Sequence, residues 1–186
     1  MESCNHSIPM EFELAPLISV QTGTFAAVIA PEELMLPALT NPVTGKYRLY
    51  YLAGNRSGIL PALTVRPGTM DVVRVPSPGA LTAAIREAHH AILFVEHDPS
   101  LYDSPDDIEP VANSLKAAAG EALVLLYTPE NDQWFDLFLE VADQVYFFRP
   151  PPVPSRTVPK RMVRVRDRPH ATGGQASLKI FTGGMP

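Results

Sequence analysis

Ala91-Ile92-Leu93-Phe94-Val95 is a continuous apolar run that ends on the acid Glu96. A run so short and so uniformly apolar suits a strand buried on both faces, the situation inside a parallel sheet. Downstream, Asp106 to Ala119 reads as a helix, with Ile108, Val111, Leu115 and Ala118 facing inward and Gly120 as its stop. A second buried strand follows at Ala122-Leu123-Val124-Leu125-Leu126-Tyr127. Gln133 to Val141 then places Trp134, Leu137, Phe138 and Val141 on one helical stripe, before a strand at Val145-Tyr146-Phe147-Phe148. Upstream, Ala80 to His90 repeats Leu81, Ala84, Ile85 and Ala88 at helical spacing. Two further strands precede it, Tyr47 to Ala53 and Asp71 to Val75, the first closed by the turn-rich Gly54-Asn55-Arg56-Ser57-Gly58. Strands and helices in alternation with short connections imply an α/β fold, a three-layer sandwich around a mostly parallel sheet.

The pattern changes towards the C-terminus. Residues 149–160 form a proline-rich connector around Pro150-Pro151-Pro152-Val153-Pro154, where several of the 20 prolines gather. Beyond it, Arg161-Met162-Val163-Arg164-Val165-Arg166 alternates strictly, Pro169 to Gly174 turns, and Ala176 to Phe181 alternates again. Residues 161–186 therefore read as an antiparallel hairpin appended to the sheet. Residues 1–24 read as an N-terminal arm, and 25–186 as one domain.

Charge divides in the same way. Residues 1–148 hold 7 Lys/Arg against 19 Asp/Glu, whereas residues 149–186 hold 8 against 1. An acidic body argues against broad coating of nucleic acid, while the basic segment suits an acidic partner surface or a phosphate. Cys4 is the only cysteine, so no disulfide forms within one chain, which fits a reducing compartment. The apolar stretch Leu14 to Ala30 carries Gln21, Thr22 and Thr24 and is too polar to span a bilayer. With no basic region before an apolar stretch at the start, the expected location is the cytoplasm.

Four places together resemble the RecA superfamily, in particular its KaiC-like and RadA-like branch. Pro42-Val43-Thr44-Gly45-Lys46 and the strand after it look like that family's entry into its phosphate loop. Ile92 to Glu96 looks like its second nucleotide motif, an apolar strand ending in an acid. Val141-Ala142-Asp143-Gln144-Val145 looks like its late Ala-Asp-x-Val step, and Arg161 to Arg168 with Phe181 to Met185 looks like its closing hairpin. The order of the four carries the resemblance, which implies a RecA-like sandwich; a flavodoxin-like doubly wound sheet is the competing fold.

The resemblance also implies a nucleotide site, and here the chain departs from the family. A working phosphate loop needs Gly-x-x-x-x-Gly-Lys-Ser/Thr, whose N–H groups cradle phosphate while the lysine and hydroxyl serve phosphate and magnesium. Gly54, Asn55, Arg56, Ser57 and Gly58 make a shorter loop, and Ile59 and Leu60 stand where lysine and hydroxyl belong. The strand Val72 to Val75 ends in Pro76-Ser77-Pro78, without the carboxylate that would orient water. Glu96 remains at the magnesium-associated position, either holding magnesium through water or standing as an acid at a strand's carboxyl end, exposed to solvent or capping a neighbour. No catalytic residue is assigned, and no resident cofactor is expected; ATP with magnesium at Gly54 to Gly58 and Glu96 is the alternative. His89-His90 and Glu96-His97-Asp98 contain metal-type ligands, but adjacent histidines diverge on a helix, so no metal site is assigned.

The family's DNA-facing loops correspond to Asp98 to Asp107 and Thr128 to Gln133, both acidic here, which disfavours phosphate contact. Protein partners fit better. Alternation puts Arg164, Arg166 and Arg168 on one face, and the resemblance implies that this basic element reaches a neighbouring subunit. Phe12-Glu13-Leu14-Ala15 resembles the Phe-x-x-Ala pattern by which RadA-like proteins dock, Phe12 filling a neighbour's pocket and Ala15 allowing close approach. The function so implied is a non-catalytic RecA-like accessory or regulatory protein in DNA repair or recombination. It would act by self-association or by binding an active RecA-family partner. A nucleotide-binding ATPase with an unorthodox loop, and a nucleic-acid binder using the basic C-terminal segment, are the alternatives.

Overall fold

Ile92, Leu93, Phe94, Val95 and Glu96 are buried without exception, because this strand has a neighbour on each side and a layer on each face. The computed structural model describes residues 11–15, 18–41, 46–64 and 68–148. All of these fall within the unit Met1–Pro152; the unit Val153–Pro186 lies outside the described residues. So do the expected closing hairpin, with Arg164, Arg166 and Arg168, the whole connector 149–160, and residues 42–45.

In chain order the described elements begin with β1 (Glu11–Ala15) and β2 (Ile18–Gln21), an antiparallel pair. The main sheet holds β3 (Phe25–Ile29), β4 (Leu49–Ala53), β5 (Met70–Arg74), β6 (Ile92–Glu96), β7 (Leu123–Thr128) and β8 (Gln144–Phe147). The helices are α1 (Glu32–Thr40), α2 (Pro78–Arg86), α3 (Ile108–Ala118) and α4 (Gln133–Leu139). The sheet order is β5-β4-β6-β7-β3-β8, and every pair in it is parallel.

Strand alternation divides the core into two layers. Phe25, Ala27, Leu93, Val95, Val124 and Leu126 pack on the helical side, against Leu81 and Ile85 of α2, Val111 and Leu115 of α3, and Phe135 and Phe138 of α4. Ala26, Val28, Tyr51, Phe94, Leu125 and Tyr127 face Met35 and Leu39 of α1, together with Phe12 and Leu14 of β1 and Val20 of β2. The sandwich is therefore α2–α4, sheet, then α1 with the β1–β2 hairpin. Both edge strands are more open: Val72 on β5 is 42% exposed, and Val145 and Phe147 on β8 are 48% and 58% exposed.

Local chemistry explains where the helices start. Ser77 accepts the Ala80 N–H at 3.2 Å with Pro78 in the first turn, and Asp132 accepts the N–H groups of Trp134 and Phe135 at 2.8 and 2.9 Å. Of the expected stripe on α4, Phe138 is fully buried whereas Trp134, Leu137 and Val141 are only partly so, and the buried face runs through Phe138 and Phe135, which the stripe did not include.

Within the expected N-terminal arm, 1–24, β1 and β2 pair antiparallel and place Phe12, Leu14 and Val20 in the core beside α1. Phe25 to Ile29 is an interior strand between β7 and β8, and α1 follows it despite Pro37 in its interior. In flavodoxin-like and dinucleotide-binding orders the first and second strands are neighbours. Here β3 and β4 are separated by β7 and β6, so the competing flavodoxin-like order is not the one present. No helix among the described residues is long and apolar enough to cross a membrane.

Candidate functional site

Strand order picks out one place before any side chain is considered. From β4 the chain moves outward to the edge strand β5, whereas from β6 it moves the other way to β7. Beyond the carboxyl ends of β4 and β6 lies the crevice where open α/β sheets bind ligands. The register sets Ala53 opposite Glu96 at its mouth.

The crevice is filled by the chain itself. Glu96, 5% exposed, receives four donors. Its Oε1 accepts the backbone N–H groups of Gly58 at 2.6 Å and Ile59 at 3.2 Å. Its Oε2 accepts the Tyr51 hydroxyl at 2.5 Å and the Ser57 hydroxyl. Asp98 completes the clasp: Oδ2 accepts the Arg56 N–H at 2.9 Å, while Oδ1 accepts the Ser100 N–H at 3.0 Å and its hydroxyl at 2.6 Å. The Arg74 guanidinium donates to the Gly54 carbonyl at 3.2 Å, and Ser57 Oγ accepts the Leu60 N–H at 3.1 Å.

Each partner bears an electrostatic mark of this arrangement. Burial, and then the Glu96 carboxylate, push the Tyr51 hydroxyl far above its ordinary value, so Tyr51 is a fixed donor. Burial works against the charge on Asp98, yet hydrogen bonds from Ser100 and Arg56 hold its carboxyl below the usual range. Two glycines permit the close approach. A Cβ on Gly54 would run into the Asp98 carboxyl, and one on Gly58 would meet the Glu32 carboxylate.

Ser57 and Gly58 thus bond Glu96, Arg56 bonds Asp98 and Gly54 bonds Arg74, while Asn55 is exposed on the same loop. Convergent N–H groups of this kind make an anion-binding concavity. Its anions here are the protein's own carboxylates. Ile59 and Leu60 lead into a single 3-10 turn, Leu60–Ala62, and not into the helix that follows a phosphate loop. Glu96 therefore caps its neighbour and, at 5% exposed, is not the solvent-facing acid that was also open to it from sequence.

His97, between the two acids, engages a different set of residues from the clasp. The His97 ring has no exposed side-chain surface; Nε2 lies 2.9 Å from Asp132 Oδ2. Tyr102 stacks on the ring, and the edges of Phe135 and Phe138 close around it. Burial pulls its pKa down, with Asp132 opposing, so the imidazole is a neutral strut between β6 and α4. No group of three His, Cys, Asp or Glu residues suited to a metal occurs among the described residues. His90 belongs to another cluster, with Nε2 2.6 Å from Asp71, which Arg48 also holds at 2.7 Å, and with Tyr50 stacked on its ring.

The remaining expected positions have structural uses. Phe12 is 1% exposed and buried in the chain's own core, so its ring is not presented to a neighbour; Ala15 is partly buried at the end of β1. Asp143, from the Ala-Asp-x-Val step, accepts the Phe25 N–H at 2.9 Å and pairs with Lys116, joining β3 to α3. Sequence reasoning missed Tyr51 and Asp98 as members of the clasp, and Glu32 as the side chain in front of Gly58. For Tyr51 and Asp98 the signal is same-face spacing, Tyr51 two residues before Ala53 and Asp98 two after Glu96, and it becomes visible once β4 is known to pair with β6.

No family model and no curated protein matches the chain.

Proposed function

We propose that the chain is a non-catalytic accessory or regulatory protein of RecA-like type, acting by self-association or by binding an active RecA-family partner in DNA repair or recombination. One observation carries the non-catalytic part: Glu96 and Asp98 accept the N–H groups of Arg56, Gly58 and Ile59. A triphosphate entering there would displace two carboxylates and face their charge in a crevice of low dielectric. Lysine and hydroxyl at the end of the loop are replaced by Ile59 and Leu60, so the two groups that serve phosphate and magnesium in a working loop are absent from their positions. The division into an acidic body and a basic C-terminal segment supports assembly as the activity.

Calorimetric titration of the full chain with ATP–magnesium tests this reading. No saturable heat and no phosphate release at high protein concentration are expected. Micromolar affinity, or steady phosphate release lost in Glu96→Gln, overturns it.

A further inference from the structure

A groove of about 570 Å³ opens at the carboxyl ends of β3, β7 and β8 and shares Glu32 with the edge of the β4–β6 crevice. Its floor is apolar, formed by Ile29, Pro129 and Phe148 among others, and its rim carries Glu32, Glu33 and Glu130. Glu33 and Glu130 are exposed, Glu32 half-buried. The ion pairs among the described residues engage other carboxylates, those of Asp71, Asp132 and Asp143. The local field is negative: burial first, then the carboxylates of Glu32, Glu96 and Glu33, push the Tyr127 hydroxyl far up.

An apolar floor with an acidic rim fits a segment that is apolar and cationic at short intervals. The sequence contains one. Arg156 to Arg168 carries Lys160 and five arginines against the single carboxylate of Asp167, interleaved with Val158, Met162, Val163 and Val165. Guanidinium groups pair with carboxylates in a planar, two-pronged geometry, and their stems cover apolar surface.

We propose that this groove docks the stretch Arg156 to Arg168 of a second copy of the chain. The inference rests on the self-association reading above and names the surface through which it occurs. Donor stretch and acceptor groove are different surfaces, so the contact is heterologous and produces rings or short chains of subunits. Its attraction is electrostatic, so association weakens as salt rises.

Sedimentation velocity on the full chain tests this, comparing wild type, the groove variant Glu33→Lys with Glu130→Lys, and the tail variant Arg164→Glu with Arg166→Glu. Both altered groove positions are exposed, so folding is retained, which circular dichroism checks. Wild type is expected to associate at low salt, and each variant at least about tenfold more weakly. A mixture of the two variants is expected to recover one-to-one complexes, because the tail of one meets the intact groove of the other. Wild-type association that survives the groove substitutions overturns the groove while leaving self-association standing. A wild type that remains monomeric at all concentrations overturns both.

Discussion

The backbone N–H of Gly58 donates to the Glu96 carboxylate at 2.6 Å, which makes an acid at the end of β6 the anchor of the loop after β4. Ile59, Ser57 and Tyr51 donate to the same group, so the loss of its charge is felt at four donors. Glu96→Gln puts an amide NH₂ against at least one of them. The expected cost is about 3 kcal/mol, read from urea unfolding, with no gain of ATP binding. An unchanged unfolding midpoint would show that the clasp contributes nothing.

The two loop glycines separate by what stands in front of them. At Gly54 a methyl group meets Asp98, a short side chain held by Arg56 and Ser100, and cannot be accommodated without breaking those bonds. At Gly58 it meets the far end of Glu32, which can swing aside. Gly54→Ala is therefore expected to cost about 2–3 kcal/mol and Gly58→Ala less than about 1, compared by thermal unfolding. The reverse ranking contradicts the geometry.

His97 sets a pH dependence whose sign is determined by its burial. Its folded pKa lies below the ordinary 6.5, so the unfolded chain takes up a proton first as pH falls. Stability present above about pH 6.5 is lost progressively below it, by at most about 1.4 kcal/mol per pH unit for one proton. Asp98 and Asp143 have lowered pKa values, so their contributions are retained until pH falls below the ordinary carboxylate value of 3.8. Between these limits the slope belongs to histidine, and His97→Gln is expected to flatten it. Urea midpoints at several pH values in that interval provide the check.

Phe12 discriminates between a docking arm and a core element. Phe12→Ala is expected to destabilise the folded chain by about 3–5 kcal/mol, the usual range for removing a buried ring. A docking residue would instead weaken association and leave the unfolding midpoint in place.

The legible part of the fold was the part with strong periodicity. Residues 92–96 and 123–128 are uniformly apolar and buried, and α3 keeps Ile108, Val111 and Leu115 on one inward face. β3 was harder to see because Phe25-Ala26-Ala27-Val28-Ile29 contains two alanines, which are poor strand formers, inside a longer apolar stretch. Pro37 hid α1, since a proline in a helix interior removes a donor and argues against the helix. At the site, the glycine loop and Glu96 were legible as separate motifs. Their pairing was not, because adjacency of β4 and β6 is a property of the sheet order and not of either segment.

The position of β3 has a consequence for how the molecule is made. Phe25 pairs with Val124, and Ala27 with Val145, so the first strand of the main sheet has no neighbour until nearly the whole body has been synthesised. A nascent chain ending before Leu123 holds an unpaired apolar strand at its centre, and closing the sheet requires contacts of very long sequence separation. Folding is therefore expected to be slow and to finish with β3 enclosed between β7 and β8, late in synthesis and exposed to aggregation until then.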